Sequence, residues 1–541
     1  MREVAAAPRS AVPSPAWLRD HLHWLVALLG GIYLIVLLAR LSVLIGAVNW
    51  NSDSSSLFVI AELYDGGEAY RSSRGSWTTV WWHLLTQPLP GHRQLWLATA
   101  PTLMLATAGL MAWGAWRALG RHAALLVGAL ALAAGPVLLP HLLHDDTHNP
   151  VLLVTALLAV YLLALTRTDW PRALTAATVV AMGVIVGTNI ASDALLIPAG
   201  VIPFVVAAAL LRSRRIATVA ASTVVVSLIV AVVTSAVMRD AGWHSYPPHA
   251  TFLTSGTFTS HVASMVEILV RLGNGDFFGE RIGADSLVAV ACAALVLLAL
   301  PVPAVVAWRA FGERVHRVDA TRAAYVGFWA TAWLATALAF VLSTRGDTKG
   351  TSPEGYLIPM LYGIAALVPL AARRVASPWI SAGVAVYVAA GVLALAEGRN
   401  EEPSFGSSMA QAHGELIAIA EKTGVTTGYA GYWDAANLTW NSRFRVHAYP
   451  IAECQPKPGV TGLCPFIYNR LASWYEPRPN TRTFLVVDPH TTWVSHPPPA
   501  ELGPPVAFYD LKTVQLYVYP YDIASRFHCV SGPGCNLEPP R

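Results

Sequence analysis

The chain has 541 residues, of which 55% are hydrophobic and only 13% are charged. Soluble domains usually have about a quarter of their residues charged, so most of this chain must face lipid. The net charge of +4 is small, and no basic block indicates a nucleic-acid partner.

Apolar runs long enough to cross a bilayer occupy most of the chain up to residue 397. A membrane-spanning helix needs about 20 mainly apolar residues, and the sequence predicts about eleven such spans. A polar N-terminal tail at 1–22 precedes this membrane domain, which we assign to 23–397. The predicted spans are 23–48, 94–116, 122–143, 150–166, 173–191, 195–211, 216–237, 286–308, 323–344, 355–372 and 379–396.

The distribution of arginine predicts the orientation of these spans. Arginines precede the first span and recur in alternate connections, whereas the opposite connections are longer but less basic. Because basic residues concentrate in cytoplasmic connections, we expect a multi-pass plasma-membrane protein with a cytoplasmic N-terminus. An odd number of spans then places the C-terminal segment outside the cytoplasm.

Three predicted outer segments are too long to be simple turns. Loop one (49–92) contains SLFVIAELY and TTVWWHLLTQ, aromatic-rich stretches that favour the membrane interface. Loop two (238–285) contains HVASMVEILVRL, which predicts a short amphipathic helix. In the tail (398–541), a helical pattern that ends at Gly424 is followed by buried strand patterns, VTTGYAGYW, RTFLVVDP and VQLYVYPYD. This alternation predicts an extracytoplasmic α/β domain.

Cysteine usage agrees with that orientation. Cys292 lies in an apolar span, and the other four cysteines lie in the tail at Cys454, Cys464, Cys529 and Cys535. An even set in one polar segment predicts disulfides formed in an oxidising compartment. Four cysteines allow three pairings, and free thiols are the alternative.

Acidic side chains gather at consecutive outer turns. The stretch NWNSDSSS supplies Asp53 directly after the first span, and a later outer turn supplies Asp193. The turn between them, HDDTHN, contains His144, Asp145, Asp146, His148 and Asn149. Adjacent carboxylates repel each other unless a cation or hydrogen bonds compensate.

Carboxylates at one depth can deprotonate a hydroxyl group, and with an imidazole they can also hold Mg²⁺ or Mn²⁺. For such an ion we expect Asp53, His144 and Asp145 as ligands. The alternative for Asp53, Asp146 and Asp193 is that they cap helix N-termini. The alternative for the two histidines is a solvated pair.

Cationic candidates lie on the same predicted side. Arg345 and Lys349 lie in the connection between the ninth and tenth spans, and Arg281 lies in loop two. Arg40 lies within the first span, where it either snorkels to the interface or binds a phosphate or carboxylate. Carboxylates beside cations suit a substrate with an anionic head and a lipid tail, such as a lipid-linked phosphosugar.

Together these features resemble the GT-C superfamily of polytopic membrane glycosyltransferases, in particular actinobacterial arabinofuranosyl- and mannosyltransferases with a C-terminal extracytoplasmic domain. In that superfamily an Asp follows the first span, and a second acidic pair lies in the outer turn between spans three and four. Asp53, Asp145 and Asp146 stand at these places.

The resemblance implies inverting transfer of a sugar from a polyprenyl-phosphate donor to an envelope glycan or glycolipid on the outer face. It implies Asp53 as the general base and a metal only in some branches. We expect the substrate contacts at Arg345, Lys349, Arg281, His148, Asn149 and Arg40.

One position departs from the family pattern. The family often has a positively charged residue before the tyrosine that opens a late span, but here Gly355 precedes Tyr356. Arg345 or Lys349 would have to take its place. In the tail, the aromatic side chains either bind sugar faces or fill the core; they include Tyr429, Tyr432, Trp433, Trp440, Trp474 and Tyr475.

Two other functions compete with glycosyl transfer. A transporter or flippase usually carries ionisable groups near the bilayer midplane and two related halves; only Arg40 favours it. An inactive GT-C-like scaffold that binds a glycan through the tail is favoured by the missing arginine before Tyr356.

Overall fold

The structure is a computed structural model that describes residues 16–528 except 49–51, 65–69, 73–76, 144–147, 246–250, 254–256, 278–280, 313–318, 345–352, 373–376, 400–406, 458–459, 467–468, 490 and 492. Some side chains at the ends of elements also lie outside the description, that of Asp53 among them.

The helices are α1 (Ala16–Val48), α2 (Ser52–Leu63), α3 (Trp77–Thr86), α4 (His92–Leu119), α5 (Arg121–Leu132), α6 (Leu138–Leu143), α7 (His148–Arg167), α8 (Arg172–Ser192), α9 (Ile202–Leu210), α10 (Arg214–Asp240), α11 (Phe258–Leu272), α12 (Ala284–Ala299), α13 (Val302–Ala307), α14 (Ala320–Val341), α15 (Ile358–Leu367), α16 (Pro378–Ala396), α17 (Ser407–Thr423) and α18 (Tyr432–Asn441). The strands are β1 (Tyr70–Ser72), β2 (Trp243–Ser245), β3 (Thr427–Ala430), β4 (His447–Lys457), β5 (Val460–Pro465), β6 (Arg470–Leu471), β7 (Thr483–Val487), β8 (Ala507–Asp510) and β9 (Gln515–Tyr519).

The membrane domain is a helical bundle, as predicted. Within the described residues, eight helices are long and apolar enough to cross a membrane. Three further apolar helices fall where the remaining spans were expected, but they are shorter: Arg121–Leu132, Ile197–Leu210 and Glu354–Leu370. The first of them ends shortly before Gly135 and Pro136, residues that break helices. A multi-pass bundle is therefore confirmed, while the count of eleven spans remains a prediction.

The tail forms a mixed six-stranded sheet in the order β5-β4-β3-β7-β9-β8. Strand β3 pairs in parallel with β4 and β7. Side chains alternate between the two faces, so Phe484 and Val486 pack against α17 while Leu485 and Val487 point to the opposite face. Helix α17 ends before Gly424, whose φ of +69° favours glycine. The predicted helix, strands and α/β architecture are confirmed.

The second face of the sheet shares a hydrophobic core with loop one. Residues Leu57 to Ala61 of α2 are all at least 96% buried, and they belong to one cluster with Tyr449, Trp474 and Leu485 of the tail. We expected this stretch at the membrane interface. Instead, the tail covers α2. The apolar side chains of α2 are removed from water equally well by protein as by lipid, so their pattern fits either environment.

A small sheet joins all three predicted outer segments. Strand β1 of loop one pairs in parallel with β2 of loop two, Tyr70 opposite Trp243. It also pairs antiparallel with β6 of the tail, Tyr70 opposite Leu471. The three segments therefore lie at one end of the bundle, as the predicted topology requires. Which side of the membrane this end faces remains a prediction.

One predicted disulfide is present. Cys454 and Cys464 are bonded across the β4–β5 hairpin, with their Cα atoms 5.8 Å apart. Cys529 and Cys535 lie outside the described residues, so their pairing remains a prediction. Cys292 is a buried free thiol, as expected for an apolar span.

Candidate functional site

A buried histidine–aspartate pair lies at the end of the bundle that carries the three predicted outer segments. His148 begins α7, and Asp193 directly follows α8. The imidazole Nδ1 lies 2.6 Å from Asp193 Oδ2, and the two side chains are only 7% and 11% exposed. Because a carboxylate only accepts, Nδ1–H donates in this charge-assisted hydrogen bond.

The second carboxylate oxygen of Asp193 caps the helical turn that follows. Oδ1 accepts a hydrogen bond of 2.9 Å from the main-chain N–H of Leu195. Capping, the alternative considered for Asp193, is thus present, and the same carboxylate also orients His148. Sequence reasoning did not place Asp193 among the site residues, because a single Asp in a turn is usually only a cap.

The imidazole of His148 occupies the space beside Gly355. A Cβ atom on residue 355 would lie 2.9 Å from Cδ2 of His148, closer than real contacts allow. The ring also meets Tyr356 edge-on, with centroids 5.1 Å apart. A larger residue at position 355, such as the arginine common in the resembled family, would displace His148. Only glycine at position 355 leaves enough space for the close packing of the His148 ring.

A cation from loop two contacts Glu354, the residue before Gly355. Arg271 of α11 lies with Nη1 3.7 Å from Glu354 Oε1 and with Nε 3.2 Å from Asp276 Oδ2. Its side chain is 35% exposed. The sequence indicates Arg271 only as one of the cations of loop two; its contact with Glu354 could not be predicted, because nothing in the sequence connects α11 with the segment before α15.

Loop one approaches the same place from the other side. Thr78 Oγ1 of α3 lies 3.0 Å from the hydroxyl of Ser192, the residue before Asp193. Asp53 is the second residue of α2, in the helix that packs beside α3. The structure therefore brings the main chain of Asp53 to the same end as the His148–Asp193 pair, although the Asp53 side chain lies outside the description.

Several predicted site residues have structural contacts. Asn149 is buried and donates to Leu142 O at 3.2 Å, which ties α7 to α6. Arg40 donates to Leu395 O at 2.5 Å and to Ala396 O at 2.8 Å. These are the last carbonyls of α16, where a cation is stabilised by the helix dipole. Roles of Asn149 and Arg40 in substrate binding remain predictions.

The other predicted residues are untested. Arg281 is exposed in the segment before α12. The described residues contain no group of three His, Cys, Asp or Glu side chains that could hold a metal. A metal at the predicted ligands therefore remains a prediction. The remaining candidates outside the description are His144, Asp145, Asp146, Arg345 and Lys349.

Most of the tail aromatics fill the core. Tyr429, Trp440, Trp474 and Tyr475 are each at least 91% buried. The Tyr429 hydroxyl donates to Asp522 Oδ1 at 3.0 Å, and burial together with this carboxylate raises the pKa of Tyr429 far above its ordinary value. Trp433, by contrast, remains partly exposed.

No protein-family model and no curated protein matches the chain. Among solved structures, a crystal structure of ArnT from Cupriavidus metallidurans bound to undecaprenyl phosphate matches with a TM-score of 0.53 and 14% identity, over 93% of this chain and 99% of that chain. The same ArnT in the apo state matches with a TM-score of 0.42 and 15% identity, with equal coverage.

The chain shares the fold of ArnT. That likeness, carried by the first match, covers both the bundle and the sheet domain. At 14% identity it concerns the fold alone, and the predicted arabinofuranosyl or mannosyl specificity remains a prediction.

Proposed function

We propose that this protein is a membrane glycosyltransferase that transfers a sugar from a polyprenyl-phosphate donor to an envelope glycan or glycolipid. One observation carries the proposal: a buried His148–Asp193 pair lies at the end of the ArnT-like bundle where the three predicted outer segments join in one small sheet. The matched ArnT is bound to undecaprenyl phosphate, a polyprenyl phosphate, and this supports the donor class.

The proposed reaction inverts the anomeric carbon. Asp53 accepts the proton of an acceptor hydroxyl, and the hydroxyl oxygen attacks the anomeric carbon of the donor sugar. The bond from that carbon to the phosphate oxygen breaks, and its electron pair leaves with the polyprenyl phosphate. The position of Asp53 in the first turn of α2, at the site end of the bundle, supports this role.

We assign stabilisation of the leaving phosphate to His148. Its Asp193 partner, at 2.6 Å, fixes the orientation of the ring. Because both side chains are nearly buried, the interaction of this pair with the developing negative charge is screened less than it would be in water.

The described contacts weaken the transporter alternative. Arg40 was the residue that favoured it, and Arg40 donates to main-chain carbonyls of α16. A divalent cation at Asp53, His144 and Asp145 remains part of the proposal only as an option. Chelation with EDTA followed by addition of Mg²⁺ tests it directly.

The proposal is tested with the purified protein in lipid nanodiscs. The donors are the polyprenyl-phosphate sugars extracted from membranes of the source strain, and the acceptor is its envelope glycan fraction. We expect transfer by the unchanged protein and a loss of about 10²-fold or more in Asp53→Asn, because a positioned base contributes 10²–10⁴-fold.

A matched control is Asp510→Asn, which makes the same change at an exposed residue of β8. It should transfer at the normal rate. Absence of transfer by the unchanged protein with every donor would refute the proposed function. Normal transfer by Asp53→Asn would remove Asp53 as the base while leaving the function standing.

A further inference from the structure

The carboxyl edge of the tail sheet has the geometry of a ligand crevice. Strand β3 pairs in parallel with β4 on one side and with β7 on the other. The chain passes from β3 through α18 to β4, so the direction of winding changes between β3 and β7. In open α/β sheets, ligands bind outside the carboxyl ends of strands at such a switch point.

Four aromatic rings gather at this edge, and we call them the aromatic wall: Tyr432, Trp433, Phe466 and Trp493. Tyr432 lies 5.2 Å from Trp433 and 4.8 Å from Phe466, measured between ring centroids. Phe466 lies 5.2 Å from Trp493. The two tryptophans remain partly exposed, whereas Tyr432 and Phe466 are buried, at 7% and 5% exposed.

The loop after β7 is held against the strand end. Gly431, which follows β3, lacks a Cβ atom, and a Cβ there would lie 3.2 Å from the Cβ of Trp493. The main-chain N–H of Glu453 in β4 donates to Trp493 O at 2.7 Å. Trp493 is therefore held by a main-chain hydrogen bond from β4 and lies close to the residue that follows β3.

Hydrogen bonds connect the aromatic wall to the helix that carries Asp53. The side-chain amide of Asn469 lies 3.0 Å from the Tyr432 hydroxyl and 3.2 Å from the Ser56 hydroxyl. Ser55 donates to Asn437 of α18 at 2.8 Å. Asp53 precedes Ser56 by three residues and so lies on the same side of α2. The wall thus lies beside the first turn of α2.

We infer that the aromatic wall binds the saccharide chain of the acceptor. The flat rings of Trp433 and Trp493 present an apolar face to the C–H face of a sugar, and their N–H groups can donate to its hydroxyls. A glycan seated there would extend toward the first turn of α2, where its terminal hydroxyl meets Asp53. The term acceptor rests on the proposed function; the glycan site itself rests on the wall.

The test is saturation-transfer NMR on the full-length protein in nanodiscs. The probe is the neutral oligosaccharide fraction released by mild acid from the envelope of the source strain. We expect transfer of saturation to sugar protons and a dissociation constant raised about tenfold in Trp493→Ala, the usual effect of truncating an interface tryptophan. Trp493→Phe keeps a flat ring and should retain most of the binding.

Phe508→Ala is the matched control, because Phe508 is 50% exposed on the far edge strand β8. It should bind normally. Equal binding by Trp493→Ala, or no saturation transfer with the unchanged protein, overturns the inference. The binding measurement is repeated in Asp53→Asn. Oligosaccharide binding that persists in this variant supports the wall even if sugar transfer is never observed. Sugar transfer by the unchanged protein without detectable oligosaccharide binding leaves the proposed function standing but removes the wall.

Discussion

The packing of His148 against Gly355 can be tested with one methyl group. In Gly355→Ala, the new Cβ would lie 2.9 Å from His148 Cδ2, whereas carbon atoms normally pack at about 3.5–4.0 Å. The imidazole must therefore move by about 0.6–1 Å. The backbone of Gly355 has no positive φ, so alanine is strained only by the ring.

That displacement is large enough to disturb the hydrogen bond to Asp193. Nδ1 and Oδ2 are 2.6 Å apart, and a shift of this size brings them to about 3.2 Å or more, the limit of a hydrogen bond. Hydrogen bonds to charged groups contribute about 1.5–3 kcal/mol. If His148 stabilises the leaving phosphate, we expect Gly355→Ala to lower transfer about ten- to hundredfold.

The assay is the rate of sugar transfer in nanodiscs at matched protein amounts, with Gly109→Ala as the control. Gly109 has no heavy atom within 4 Å of its added Cβ, so this variant should transfer normally. In a His148→Ala background the space is empty, and Gly355→Ala should add no further loss. Full activity of Gly355→Ala, or losses that simply add in the double variant, would refute the reasoning.

Four further changes have distinct expected outcomes. Asp193→Asn keeps an oxygen for the Leu195 N–H cap but loses the charge beside His148; transfer should fall at least about tenfold, and the stability should fall by about 1.5–3 kcal/mol, seen as a lower Tm. Equal rates would contradict the paired role. Reduction of Cys454–Cys464, whose partners are 10 residues apart, should lower the stability of the tail by about 3 kcal/mol, seen as a lower Tm; an unchanged Tm would show that the hairpin does not need the crosslink. Arg40→Gln should lower the stability by about 0.3–1 kcal/mol, because a cation at the C-terminus of α16 is lost, and this should appear as a lower Tm without a change in the KM for donor; a raised KM would instead support phosphate binding. Burial and Arg478 lower the pKa of His447, so the folded state favours the neutral ring. Its contribution to stability is present above pH about 6.5 and lost as the pH falls, and the acid-induced drop in Tm should be smaller in His447→Gln.

Much of the fold is contained in local sequence patterns. Apolar runs predict the long helices, and alternation predicts strands such as Thr483–Val487. Gly424 marks the end of α17 because few residues other than glycine adopt its positive φ. The sequence also indicates correctly that polar residues of consecutive turns meet, since His148 from one turn bonds to Asp193 from the next.

Other features depend on long-range packing that no local pattern contains. An apolar helix face looks the same whether lipid or protein covers it, so α2 could not be assigned to the shared core. The pairing of Arg271 with Glu354 joins residues 83 positions apart in the chain. Gly355 looked like the loss of a functional arginine, and only its distance to His148 explains it.

The hydrophobic core shared by α2 and the tail has a consequence for how such a protein can arise and be handled. A fragment that begins near residue 398 would lack α2 and would therefore expose Leu485, Tyr449 and Trp474 to water. Such an apolar surface would favour aggregation of the isolated tail. The tail therefore cannot be joined to an unrelated membrane anchor without exposing this apolar face, because its side chains pack against those of α2.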